Sequence, residues 1–179
     1  MTLAERLDLT RCTPAQLWTA LDPETKLAAA RSLYAHDWGN APTRREADAA
    51  IMIGMRFREA AVRQLPVDKR ASYLARSIRP SDSLAGSLVL ALHLEQRRPM
   101  LAAFLDALGI PHENGLIAES HTLETPAAAA LRKAADALRT RFPAHEVEEY
   151  LACLYVLDRE TWDGLAAILG GAPSAAVKR

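Results

Sequence analysis

The chain has 179 residues, half of them apolar and a quarter charged, which excludes a disordered tail and matches one ordinary domain with a substantial core. Lys and Arg together balance Asp and Glu at 22 each, so no overall field draws the protein to nucleic acid or anionic lipid. Cys12 and Cys153, the two cysteines, are too few for a metal-knuckle array or a disulfide framework.

Almost every apolar-periodic stretch opens on a helix-start signal, and none alternates like a strand. An oxygen-bearing side chain before a helix accepts hydrogen bonds from its orphan amides, and a proline just after it loses no bond the helix needs. Residues 3–8 form a short leading turn on this reading. Residues 14–21 and 23–36 form a helix pair hinged at Asp22-Pro23. A loop from His36 to Pro42 follows. A long helix is expected from about Arg44 to Leu65, with Arg45, Asp48, Arg56, Glu59 and Arg63 on its solvent stripe. Pro66 ends it, and Asp68 starts another that runs to about Ile78.

Residues 82–96 leave little polar surface on any side, which marks a central helix covered by its neighbours. Pro99 interrupts it. The pattern resumes from Met100 to Leu108 and stops at Gly109. Residues 110–124 form a second long connection with an Asn114-Gly115 turn. Helices at about 126–141, 144–157 and 159–169 close the domain. The segments Leu21 to Thr25 and Leu157 to Thr161 echo one another, which shared capping chemistry explains. The expectation is all-α: a single compact domain over 1–171 with eight or nine helices around 82–96, arranged as an orthogonal array or a short solenoid-like stack. Residues 172–179 are expected to be a mobile tail.

Chemistry-bearing patterns are incomplete. No Glu-x-x-His pair and no His-Glu-x-x-His set occurs. His36-Asp37 resembles the metal-binding pair of HD-domain phosphohydrolases, but no histidine precedes it to complete the set. Arg139 and His145 resemble in spacing the catalytic pair of HEPN ribonucleases, with Pro143 between them. His145 with Glu148 or Glu149 puts two ligand types on one face; the simpler reading is a solvated first turn. Cys153 sits among apolar residues as an inert thiol. No glycine-rich phosphate loop is present. No metal or cofactor is therefore expected.

Three functions stay open. The preferred one is a non-enzymatic interaction or adaptor protein that binds another protein or itself, with Trp38 in the 36–42 loop as an interface anchor. The second is a nucleic-acid-associated regulator. Residues 43–80 carry nine basic and four acidic side chains, with Arg70, Arg76 and Arg79 as phosphate contacts. The third is a small-molecule or metal site around His93 or the 110–121 loop, where His112, Glu113, Glu119 and His121 cluster. The N-terminal residues hold acids and no apolar signal core, and the longest apolar run, Leu88 to Leu94, is too short for a bilayer. A cytoplasmic protein without membrane contact is expected.

Overall fold

The computed structural model describes residue 3 and residues 7–35, 41–118 and 121–170. Trp38, the His36-Asp37 pair, Glu119 and the expected tail lie outside the described residues. From Pro14 on, ten helices form among the described residues, in a single compact all-α fold. In chain order they are α1 (Pro14–Ala20), α2 (Pro23–Ala35), α3 (Ala41–Met55), α4 (Glu59–Gln64) and α5 (Val67–Arg76), then α6 (Asp82–Gln96), α7 (Arg98–Leu108), α8 (Ala128–Arg139), α9 (Ala144–Leu157) and α10 (Leu165–Gly170).

Three starts follow the expected capping chemistry, whereas α4, α5, α7, α8 and α9 have no side-chain cap bond. Thr13 and Gln16 form a reciprocal capping box on α1, with bonds of 3.3 and 2.9 Å. Asp22 accepts from the amides of Glu24 and Thr25, both at 2.9 Å, and opens α2. Ser81 accepts from the Leu84 amide at 3.1 Å and opens α6. Asp82, in the first turn of α6, also accepts from the Ala15 amide at 2.9 Å, so it caps a second helix from outside.

Helix α6 is the centre, as its composition requires. Leu84, Ala85, Gly86, Leu88, Val89, Ala91, Leu92, His93 and Leu94 are all buried, and α1, α2, α3, α7 and α9 pack around them. Helix α1 also touches α9. A linear stack joins only neighbouring repeats, so the molecule is the globular array of the two expected arrangements. An aromatic row extends the core across α7 and α9: Phe104 stacks edge-on against Tyr150 at 5.5 Å and meets Trp162 at 5.8 Å. The Arg159 guanidinium donates to the carbonyls of Leu9 and Cys12 and lies 5.6 Å from the Tyr155 ring, tying the first described segment to the last third of the chain.

Three elements differ from the sequence expectation. The long helix over 44–65 is two helices. Arg56 adopts φ +56, its amide bonds the Ile53 carbonyl, and the Phe57 amide bonds the Met52 carbonyl. That pattern is a Schellman stop with arginine where glycine is usual, and without the glycine the break is invisible in the sequence. The 110–124 connection contains a hairpin of β1 (His112–Glu113) and β2 (Leu116–Ile117), paired antiparallel in the register His112 to Ile117. Asn114 and Gly115 have φ +48 and +83, the two left-handed residues of a two-residue hairpin turn. The last expected helix, 159–169, starts only at Leu165. Asp158 accepts from the Thr161 amide at 3.2 Å, and the chain turns through 159–164 instead of coiling.

Two substitutions test the left-handed positions in opposite directions. Arg56→Gly relieves a left-handed side chain and is expected to stabilise the fold by about 1 kcal/mol. A Cβ at Gly115 would stand 2.9 Å from Leu101 Cβ and 3.1 Å from the Arg98 carbonyl oxygen, so Gly115→Ala is expected to destabilise by about 2–3 kcal/mol. Denaturant unfolding of both variants measures the two shifts.

Candidate binding surfaces

Two places concentrate polar chemistry. The first lies where α6 ends against α9. Arg97 closes α6 and precedes α7. Its Nη2 stands 2.8 Å from Glu149 Oε2 and its Nε 4.0 Å from Glu146 Oε2. Arg97 is 9% exposed and Glu149 7%. Burial holds the Glu149 carboxyl above its usual range, against the opposing pull of Arg97. His93, one turn before Arg97, is 1% exposed and rests on the Tyr150 ring at 5.3 Å. Neither of its ring nitrogens has a hydrogen-bond partner among the described residues, nor does Arg97 Nη1. Burial, reinforced by the Arg97 charge, pushes the His93 pKa down to about 3, so the ring is neutral at physiological pH. Beside this cluster opens a cleft of about 490 Å³ lined by Asp22, Thr25, Gln96, Arg97, His145 and Glu146, among others.

The histidines expected to share a site do not meet in one. His112 belongs to the hairpin: Nδ1 accepts from the Gly115 amide at 3.2 Å, which leaves Nε2 to donate to Asp106 at 3.0 Å. Glu113 is the exposed second residue of β1. His121 lines a separate cleft of about 410 Å³ with Leu108, Ile110 and Leu123. No group of three metal-ligating side chains occurs among the described residues. Cys153 is fully buried and its thiol is pushed up to about 12 by burial, so it is protonated at neutral pH and a poor nucleophile. Arg139 pairs with Asp136 on α8, while His145 lies on α9 beyond Pro143.

The second place is the edge formed by α3, α4 and α5. All four acids of residues 43–80 are engaged. Glu46 accepts from Ser81 and Ser83. Asp48 accepts from Tyr34 and Arg70, and Glu59 and Asp68 pair with Arg63 and Arg31. Arg70 is half-buried in this structural network, its guanidinium 4.9 Å from the Tyr34 ring centre, and burial with the bond to Asp48 drives the Tyr34 hydroxyl well above the usual phenol range. Arg70 is thus a brace between α5, α3 and α2. The side chains of Arg56, Arg58, Lys69, Arg76 and Arg79 are exposed and have no ion-pair or hydrogen-bond partner among the described residues. Phe57, between Arg56 and Arg58, meets Tyr73 edge-on at 5.5 Å. Tyr73 shares one face of α5 with Lys69 and Arg76 by helical spacing. Gly54 backs onto Ile78, the residue before Arg79. These contacts bring together the two segments that carry the five cations, and Ile53, 74% exposed, lies on the first of them.

The charge excess of 43–80 was visible in the sequence, and Arg76 and Arg79 carry part of it. Arg56, Arg58 and Lys69 could have been separated from Arg70 only by knowing which arginines Asp48 and Glu59 hold. The buried Arg97–Glu149 pair had one signal: Glu149 stands within the run of apolar positions that α9 turns inward.

His93 makes stability pH-dependent. Its folded pKa lies below the unfolded value of 6.5, so its contribution is complete above pH 6.5 and is lost as pH falls toward 3. The loss is up to about 1.4 kcal/mol per pH unit in that window, and His93→Phe should remove it from a pH series of urea midpoints. Separately, Glu149→Ala strands the Arg97 charge and is expected to cost about 3–5 kcal/mol, read by thermal unfolding at pH 7. No protein-family model, no characterised protein and no solved structure matches this chain significantly.

Proposed function

We propose that the protein works by association and not by turnover, and that its contact surface for an anionic macromolecule is the α3–α5 edge. One observation carries the reading: in a chain of zero formal net charge, five exposed cations on this edge lack side-chain partners among the described residues, while every acid of the same region is occupied. An ordinary solvated face interleaves charges of both signs and neutralises locally. Here Glu46 and Asp48 are half-buried against other helices, and the exposed Glu59 and Asp68 pair with Arg63 and Arg31, which leaves five cations over. Such a patch steers an oppositely charged partner even when the whole molecule is neutral.

The reading keeps the interaction role expected from the sequence and moves the contact surface from Trp38 to the basic edge. It is supported also by the state of the two most reactive-looking groups of the core: the Cys153 thiol is protonated and the His93 ring is buried and neutral.

Retention on a cation-exchange column near pH 7 tests the patch directly. The wild type, although neutral overall, should be retained. Lys69→Glu with Arg76→Glu should elute much earlier. Arg132→Glu with Lys133→Glu, an identical charge change on the exposed face of α8, should elute with a smaller shift. Equal shifts for the two double variants would mean that the column reads net charge alone, and the patch would have no special standing.

A further inference from the structure

We infer that the anionic partner is a nucleic-acid strand held through its phosphates. The inference rests on the α3–α5 edge being the contact surface and adds the chemistry of what it meets. Four of the five unpaired cations are arginines: Arg56, Arg58, Arg76 and Arg79. A guanidinium presents two parallel N–H donors that match a phosphate, and it binds with less desolvation than an ammonium. The cations stand on two segments that pack together, residues 53–58 and the α5 helix with its exit, so they offer several anchors to a chain of evenly repeated charges. A polyphosphate backbone has that repeat, and neutralising several of its charges releases condensed counterions.

Two other partners fit less well. Ile53 is the one large apolar side chain more than half exposed among the described residues, and stable membrane binding needs a continuous apolar face or a lipid anchor beside the basic one. An acidic peptide that binds as a helix needs an apolar groove, and both clefts described above are lined by residues of other segments. A phosphate chain needs no groove. Ile53 and the Phe57–Tyr73 pair give its sugars and bases an apolar surface beside the charges.

Nothing at the edge selects a sequence, so recognition is expected to be general. The test is fluorescence anisotropy with a labelled mixed-sequence single strand of about 20 nucleotides, long enough to span several phosphate contacts, and with the matching duplex. Five phosphate contacts predict a log–log salt slope of about −3.5 on the single strand, or about a hundredfold weaker binding between about 50 and 200 mM salt. Arg76→Glu with Arg79→Glu should weaken binding at least about tenfold at low salt, since each lost contact is replaced by repulsion. Its circular dichroism and melting temperature should stay at wild-type values, because both side chains are exposed and unpaired. Arg132→Glu with Lys133→Glu should bind within about twofold of wild type, because its charge change lies off the contact surface.

Three results overturn the inference: no binding of strand or duplex at low salt, equal loss in the two double variants, or binding to anionic phosphatidylserine vesicles with none to nucleic acid. If the column experiment still singles out the α3–α5 edge while nucleic acid is not bound, the partner class falls and the contact surface stands. If the column experiment fails, both fall.

Discussion

Helix α6 buries most of its surface and leaves only a narrow stripe of Ser83, Ser87 and Leu90 toward water, and this constraint organises the molecule. Nine of its residues are buried, and a helix apolar over most of its circumference has to be covered by its neighbours. Five other helices do so. Burying a side chain such as Leu88 or Leu92 contributes on the order of 2 kcal/mol, so the enclosure of α6 outweighs any single cap or ion pair. The neighbours of α6 are fixed by this requirement, and they in turn fix which helix faces are left for the surface.

Polar groups enter this interior where helices must be held in register. Arg97 sits at the corner between α6 and α7 and reaches Glu149 on α9. A buried pair of this kind adds little net stability over an apolar replacement, but it is very sensitive to the loss of one partner. The Tyr34–Asp48–Arg70 network joins α2, α3 and α5 in the same way. That second network has a consequence at the surface. By consuming Asp48 and Arg70 together, it removes one acid and one base from the basic edge and leaves its net excess of cations unchanged.

Much of the fold was legible because helix starts are written in local chemistry. Thr13, Asp22 and Ser81 cap the helices they precede, and Pro66, Pro99 and Pro143 stand at helix boundaries. The break at Arg56 was hidden because a left-handed stop normally shows glycine, and here an arginine takes that conformation, closed by the backbone bonds of Arg56 and Phe57. The hairpin at 112–117 was hidden because strands of two residues carry no alternation; only its Asn114-Gly115 turn was readable. For function, the local charge excess was legible and its distribution was not. Arg70, Arg76 and Arg79 look alike in sequence. Only the long-range pairing with Asp48, 22 residues from Arg70, separates the brace from the surface. His93 could be read as a core residue from its apolar helix, whereas His112 and His121 share one loop in sequence and the fold sends one to a turn and the other to a cleft.

The account reduces to a rigid centre at α6 and a chemically unsatisfied edge at α3–α5. Hydrogen exchange of the protein with and without a saturating nucleic-acid strand tests that division most directly. The account predicts added protection confined to residues 53–58 and 67–79, with α6 amides exchanging slowly and equally in both states. Protection that instead gathers around residues 22–28 and 145–149 would place the working site at the Arg97 cleft and contradict it.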